Sequence, residues 1–225
     1  MNRAPARLAA LLCLFLAGAA SGQEKSPAAG SVATPAANPR GVYASIDLRP
    51  AQQLIQRLQA AAGAVRRPAM REVQKDAGSH MPPVLYALAN ALAEDDPEEA
   101  VFWYQVGRLR AVYDGLRCRD QSARSGVTTI GQGLSVPLRR QMFFQRSQLV
   151  AIARKAIDWD AKNPRNYDQR WIALYGRTAA ISAGEDPNEI LLPEGEWQAI
   201  LAHVRDAHLK SVRDFAEQGA GKKLP

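Results

Sequence analysis

Cysteine is almost missing from this chain: Cys13 and Cys118 are the only two in 225 residues. Histidine is scarce as well, with His80, His203 and His208 alone. After residue 17 there is no long apolar run, and no stretch of strand length alternates apolar with polar residues. Each shortage removes a class of protein. A single cysteine past the first 22 residues leaves no internal disulfide in an exported chain. His203 and His208 lie five apart, whereas two metal ligands on one helical face need a spacing of three or four. A membrane span needs about 20 apolar residues, so no integral membrane segment is expected beyond the start. Without period-two alternation there is no case for a sheet.

Catalytic signatures are also absent. The sequence has no Gly-x-Ser-x-Gly turn, no His-Glu-x-x-His, no phosphate-binding loop and no dinucleotide fingerprint. Paired carboxylates at Asp95–Asp96, Glu98–Glu99 and Glu185–Asp186 fall in turns or first helical turns, where acids complement the helix dipole. Asp158 and Asp160 straddle Trp159, but nothing selects two carboxylates facing across a cleft. No catalytic residue, metal ligand or cofactor is assigned. Cys118 keeps two readings: a small buried apolar residue, or a thiol activated by Arg117 and Arg119.

The start of the chain is informative. Arg3 and Arg7 precede the apolar run "LAALLCLFLA", and Ala20 and Gly22 suit a cleavage site before Gln23. Residues 1–22 therefore read as a cleavable signal peptide and the mature protein as exported, with a periplasm as the expected compartment. Residues 23–41, "QEKSPAAGSVATPAANPRG", hold too little apolar surface to offset ordering entropy and read as a disordered leader. Removing the signal takes two of the 29 basic residues and none of the 22 acidic ones, so 27 against 22 leaves +5. That modest excess, with no aromatic-basic motif, argues against nucleic acid and fits an acidic protein partner, or loose association with an anionic envelope surface, better.

Residues 42–225 are expected to form one all-α domain. Pro50 opens a helix carrying Leu54, Ile55, Leu58 and Ala62; the charged piece 68–76 is ambiguous. Pro82–Pro83 opens another, with Val84, Leu85, Leu88, Ala91 and Leu92 as its stripe. Asp96, Pro97 and Glu98–Glu99 begin the next, "DPEEAVFWYQVGRLRAVYD". Its apolar positions fall on two lines: Ala100, Tyr104, Gly107 and Ala111, and Phe102, Val106, Leu109 and Tyr113. Such a helix is covered on much of its circumference, with Arg108 and Arg110 reaching outward. The Gly/Ser-rich segment 120–136 reads as a long loop. One helix is expected from Pro137 to about Asp160, and another over 194–218 ending at Gly219.

The hairpin 83–112 resembles one unit of the tetratricopeptide/Sel1-like helical repeats. Ala100, Trp103 and Tyr104 stand where that family commonly has small, Trp and Tyr residues, and Gly107 replaces its usual alanine. The first helix lacks the family's Leu-Gly-x-x-Tyr pattern, and no second copy follows, although solenoids need about three. The expectation is a single irregular helical bundle containing one repeat-like hairpin. The resemblance implies protein binding rather than catalysis.

Two stretches are the candidate partner contacts. "WDAKNPRNYDQRW" concentrates tryptophan, tyrosine and arginine, the residue types that dominate binding hot spots, and contributes Arg165, Tyr167, Asp168 and Arg170. A bland alternative is a packed corner in which the charges pair locally. The segment 120–136 contributes Ser125, Thr128 and Gln132. Together these features predict an exported, non-enzymatic module that binds another protein, in its most concrete version an immunity-type inhibitor of an envelope-directed toxin. The alternatives are an envelope scaffold or assembly factor, and a hydrolase of unfamiliar type using Cys118 or buried carboxylates.

Overall fold

The computed structural model describes Pro35, residues 39–181 and residues 186–218. The expected signal, 1–22, lies outside the described residues, as does the expected leader apart from Pro35 and 39–41. Among the described residues the chain is all-α, with nine α-helices joined by turns and short 3₁₀ segments, and no strand. No helix among them is long and apolar enough to cross a membrane.

The first two helices, α1 (Arg49–Gln59) and α2 (Gly63–Lys75), form a flanking pair. Leu54, Ile55 and Leu58 on α1 are buried, as their spacing requires. The ambiguous charged piece belongs to α2, which turns Ala69, Met70 and Val73 inward. Ala62 is an exposed N-cap of α2 instead of the last position of the α1 stripe.

The centre is the hairpin of α3 (Pro82–Leu92) and α4 (Pro97–Arg117). Asp96 caps α4 by accepting from the Glu99 N–H at 3.2 Å, and Trp103 Nε1 donates to Glu99 Oε1 at 2.8 Å. The Tyr86 and Tyr104 rings meet edge to face across the hairpin, with centroids 5.5 Å apart. Gly107 sits where the two helices come closest: a Cβ would lie 3.0 Å from the Tyr86 ring and 3.2 Å from Leu85 Cβ. The absent side chain lets α4 approach α3 closely.

The loop expected over 120–136 is instead a 3₁₀ turn, Gln121–Arg124, followed by α5 (Ser125–Gln132). Its glycines misled the sequence reading because Gly126 serves packing, not flexibility: a Cβ there would sit 2.8 Å from Tyr175 Cγ. Ala123 and Ile130 are fully buried beside it. Asn90 on α3 ties down the following turn, donating to Gly133 O at 2.9 Å and accepting from Ser135 N at 2.8 Å.

The single helix expected over 137–160 is two, α6 (Val136–Phe144) and α7 (Leu149–Lys162). Arg146, in the turn between them, places its guanidinium over the Phe143 and Phe215 rings, 4.8 and 4.4 Å from their centroids. The apolar spacing runs across this turn, so periodicity alone does not reveal it. After α7 come a corner, a 3₁₀ segment (Trp171–Tyr175), the short α8 (Arg177–Ile181) and finally α9 (Trp197–Gln218). The helix α4 packs against α3, α5, α6, α7 and α9, which makes it the strut around which the bundle is built.

Candidate functional site

Two polar regions stand out, and they differ in kind. The first is the corner that joins α7 to Trp171. Asp160, near the end of α7, is fully buried and receives three guanidinium groups. Arg110 Nε lies at 2.9 Å, Arg205 Nη2 at 3.4 Å, and Arg165 Nη2 makes the third pair. Arg110 also donates to Asn163 O at 2.9 Å. One turn along α4, buried Asp114 accepts from Arg117 at 2.9 Å, Tyr167 Oη at 3.0 Å and Trp171 Nε1 at 2.8 Å. Burial pushes the Asp114 carboxyl above its ordinary range, against the opposing pull of Arg117 and the Trp171 donor.

Arginine outnumbers aspartate in this interior, and aromatic faces accommodate the excess. Arg110 lies 4.9 Å over Trp159 and Arg117 lies 4.2 Å over Tyr113 and 4.5 Å over Trp197. Arg165 covers the Tyr113 ring at 4.6 Å. Desolvated cation–π contacts of this kind reach about 2 kcal/mol each. The seam binds α4, α7, the corner and α9 together.

This geometry decides where the corner candidates sit. Arg165 is turned inward, with 13% of its side chain exposed. Tyr167 is buried with its hydroxyl on Asp114. Asp168 and Arg170 close on each other at 2.7 Å and are only partly exposed. The packed-corner alternative describes these contacts. Arg110, expected to reach outward, is instead fully buried. Arg110, Asp114 and Arg117 were missed as interior groups, since nothing in their local spacing distinguishes a buried arginine from a solvated one.

The activated thiol is likewise corrected. Cys118 is buried, and burial, with Asp114 adding to it, pushes its thiol up to about 12. Arg117 pulls the other way but is outweighed. Among the described residues no three His, Cys, Asp or Glu side chains are grouped to hold a metal.

The second region is open. A cavity of about 380 Å³ lies among α3, α4, α5, α6, α7 and α9. Met142, Leu149, Val212 and Phe215 supply apolar walls, and Tyr86, Tyr104, Gln105 and Arg108 form a polar side contributed by the α3–α4 hairpin. Gln105 is 3% exposed, and its Oε1 has no hydrogen-bond partner. Arg108 forms no ion pair with any described residue.

Candidate residue Gln132 stands on the wall of this cavity, as does Arg139 of α6. Ser125, Thr128 and Gln132 occur at i, i+3 and i+7 of α5 and share one face, with Ser125 and Gln132 exposed. The structure therefore places Gln132 at the cavity, while Ser125, at the other end of α5, donates from Oγ to Tyr175 O at 3.4 Å. Beyond them α6 exposes Val136 (53%), Phe143 (47%) and Phe144 (68%). These are three of the five large hydrophobic residues exposed among the described residues, gathered on one short helix. Arg139 and Arg140 stand exposed among them, while Leu138 faces the core. Phe143, an apolar residue within the stretch expected as one helix from Pro137, lies outside the core. Compared with protein-family models, curated proteins and solved structures, the chain finds no match.

Proposed function

We propose that the protein is an exported, non-catalytic module that binds another protein in the periplasm through the α5–α6 face. The observation that carries the reading is the outer side of α6, where Val136, Phe143 and Phe144 are exposed beside Arg139 and Arg140. Grouped apolar surface of this kind marks an interaction site, and aromatic and arginine side chains are the usual hot-spot types. Ser125, Thr128 and Gln132 extend the face along α5 with adaptable polar groups. The net positive charge favours an acidic partner. The export signal and the repeat-like α3–α4 hairpin, both read from sequence, favour the same conclusion.

In its concrete form the partner is an envelope-directed toxin and the module its immunity-type inhibitor. The test uses the full chain and an F143S/F144S variant as baits in periplasmic extract. Wild-type protein is expected to retain a stoichiometric acidic partner that the variant loses at least tenfold, with unchanged circular dichroism. Inhibition of that partner's activity supports the immunity role; binding without inhibition supports an envelope scaffold. Recovery of no partner, or equal retention by both baits, overturns the assignment of the face.

A further inference from the structure

Three guanidiniums meet one carboxylate at Asp160, and they are not equivalent. Arg110 is fully buried and takes Asp160 Oδ1 at 2.9 Å. Arg165, from the turn after α7, and Arg205, from α9, both direct Nη2 at the other oxygen, Oδ2, and share it. Neither forms an ion pair with any other acid among the described residues. One negative charge therefore faces three positive ones, an excess of two, while Asp114 and Arg117 beside them balance each other. Aromatic faces cover Arg110 and Arg165. Arg205 lies over no ring among the described residues, and its one charged contact is 3.4 Å long.

This pair is also the part of the seam that solvent reaches. The side chains of Arg165 and Arg205 are 13% and 28% exposed, whereas Arg110, Arg117, Asp114 and Asp160 are wholly covered. The Nε atoms of the pair are buried. Their Nη1 atoms are neither buried nor hydrogen-bonded within the described residues, so these are the ends that face outward. Two like charges held side by side at a surface attract an anion, and an excess of two is matched by a dianion. A carboxylate supplies one negative charge; a phosphate monoester supplies about 1.5 to 2 at pH 7, with three acceptor oxygens for the planar arginine fork. We infer that Arg165 and Arg205 form a binding site for a phosphate monoester group, with their Nη1 atoms donating to its oxygens and Asp160 holding both guanidiniums from behind. Arg205 stands ten residues, about 15 Å, along α9 from Phe215, whose ring meets Arg146 beside α6. The site is thus separate from the α5–α6 face and does not rest on the protein-binding reading.

Calorimetric titration of the full chain with glycerol 3-phosphate and with acetate, at matched ionic strength, tests it. The phosphate ester is expected to bind one to one and about tenfold or more tighter than acetate. Arg205 contributes only a long, partly exposed contact to the fold, so R205Q should keep the melting temperature. It should weaken the ester by about tenfold or more, the loss of one charge-assisted contact. R165Q should weaken it likewise, and R205Q decides the matter should R165Q fold poorly. R154Q, which removes an exposed arginine elsewhere on α7, should leave the affinity unchanged. Sedimentation with phosphatidylcholine vesicles, with and without phosphatidic acid, separates the two sources of the group. Binding that requires both phosphatidic acid and Arg205 assigns a lipid headgroup; ester binding without sedimentation assigns a soluble ligand. Saturable binding of neither, acetate as tight as the ester, or equal affinities in R205Q and R154Q overturns the inference.

Discussion

Arg110 on α4 and Asp160 on α7 form an ion pair at 2.9 Å from which solvent is entirely excluded. Removing one member of such a pair leaves a buried charge uncompensated, which typically costs about 3–5 kcal/mol. Asp160→Asn is therefore expected to lower unfolding free energy by about that amount, because Arg110, Arg165 and Arg205 all lose their acceptor charge. The paired change R110M/D160L should cost less than the sum of the two single changes, since it removes both charges together. Urea denaturation of the four proteins measures the coupling, and simple additivity would contradict it.

His208 predicts a pH dependence. Burial, reinforced by nearby Arg108, pushes its imidazole down from the ordinary 6.5 to about 3. The folded form therefore stays neutral where the unfolded form takes up a proton. Its contribution to stability is intact above pH 6.5 and declines as pH falls toward about 3. Between pH 7 and 5 the loss from this group is about 2 kcal/mol. His208→Leu should remove that loss, seen as a smaller fall in urea midpoint over the same interval. Equal pH dependence in both proteins would exclude His208 as its source.

Gly107 and Gly131 predict opposite responses to alanine. At Gly107 the new Cβ meets Leu85 and Tyr86, both essentially unexposed and unable to retreat. Gly107→Ala should destabilise despite a helix-propensity gain of about 1 kcal/mol, and Gly107→Leu more strongly, by about 3 kcal/mol. Gly131→Ala enters open space and should stabilise by up to about 1 kcal/mol. Thermal melts of the three variants give the signs directly.

Several elements were legible in the sequence because their causes are local. Asp96 followed by Pro97 and two glutamates marks the start of α4, and the structure shows that cap in place. Leu54, Ile55 and Leu58 mark the inner face of α1, and the absence of alternation excluded a sheet. The segment 120–136 was misread because glycine has the same one-letter appearance whether it loosens a turn or admits a neighbouring ring. Only the arrival of Tyr175, about fifty positions along the chain, decides which role Gly126 has.

The same reasoning separates the two candidate stretches. Composition drew attention to Arg165, Tyr167, Asp168 and Arg170, and their chemistry is indeed concentrated there. Arg165 and Tyr167 are turned inward by Asp160 and Asp114, which only folding brings within reach, whereas Asp168 and Arg170 pair with each other. The exposed α6 face and the unbalanced cavity had no local signal at all, since Phe143 and Leu138 look alike as apolar letters. The sequence by itself determined that this protein is helical and where α3 and α4 begin. Tertiary structure alone decided which arginines are buried, which phenylalanines face water and where an open site remains. Helix periodicity and capping act within one or two turns, whereas burial is a property of surfaces contributed by distant segments.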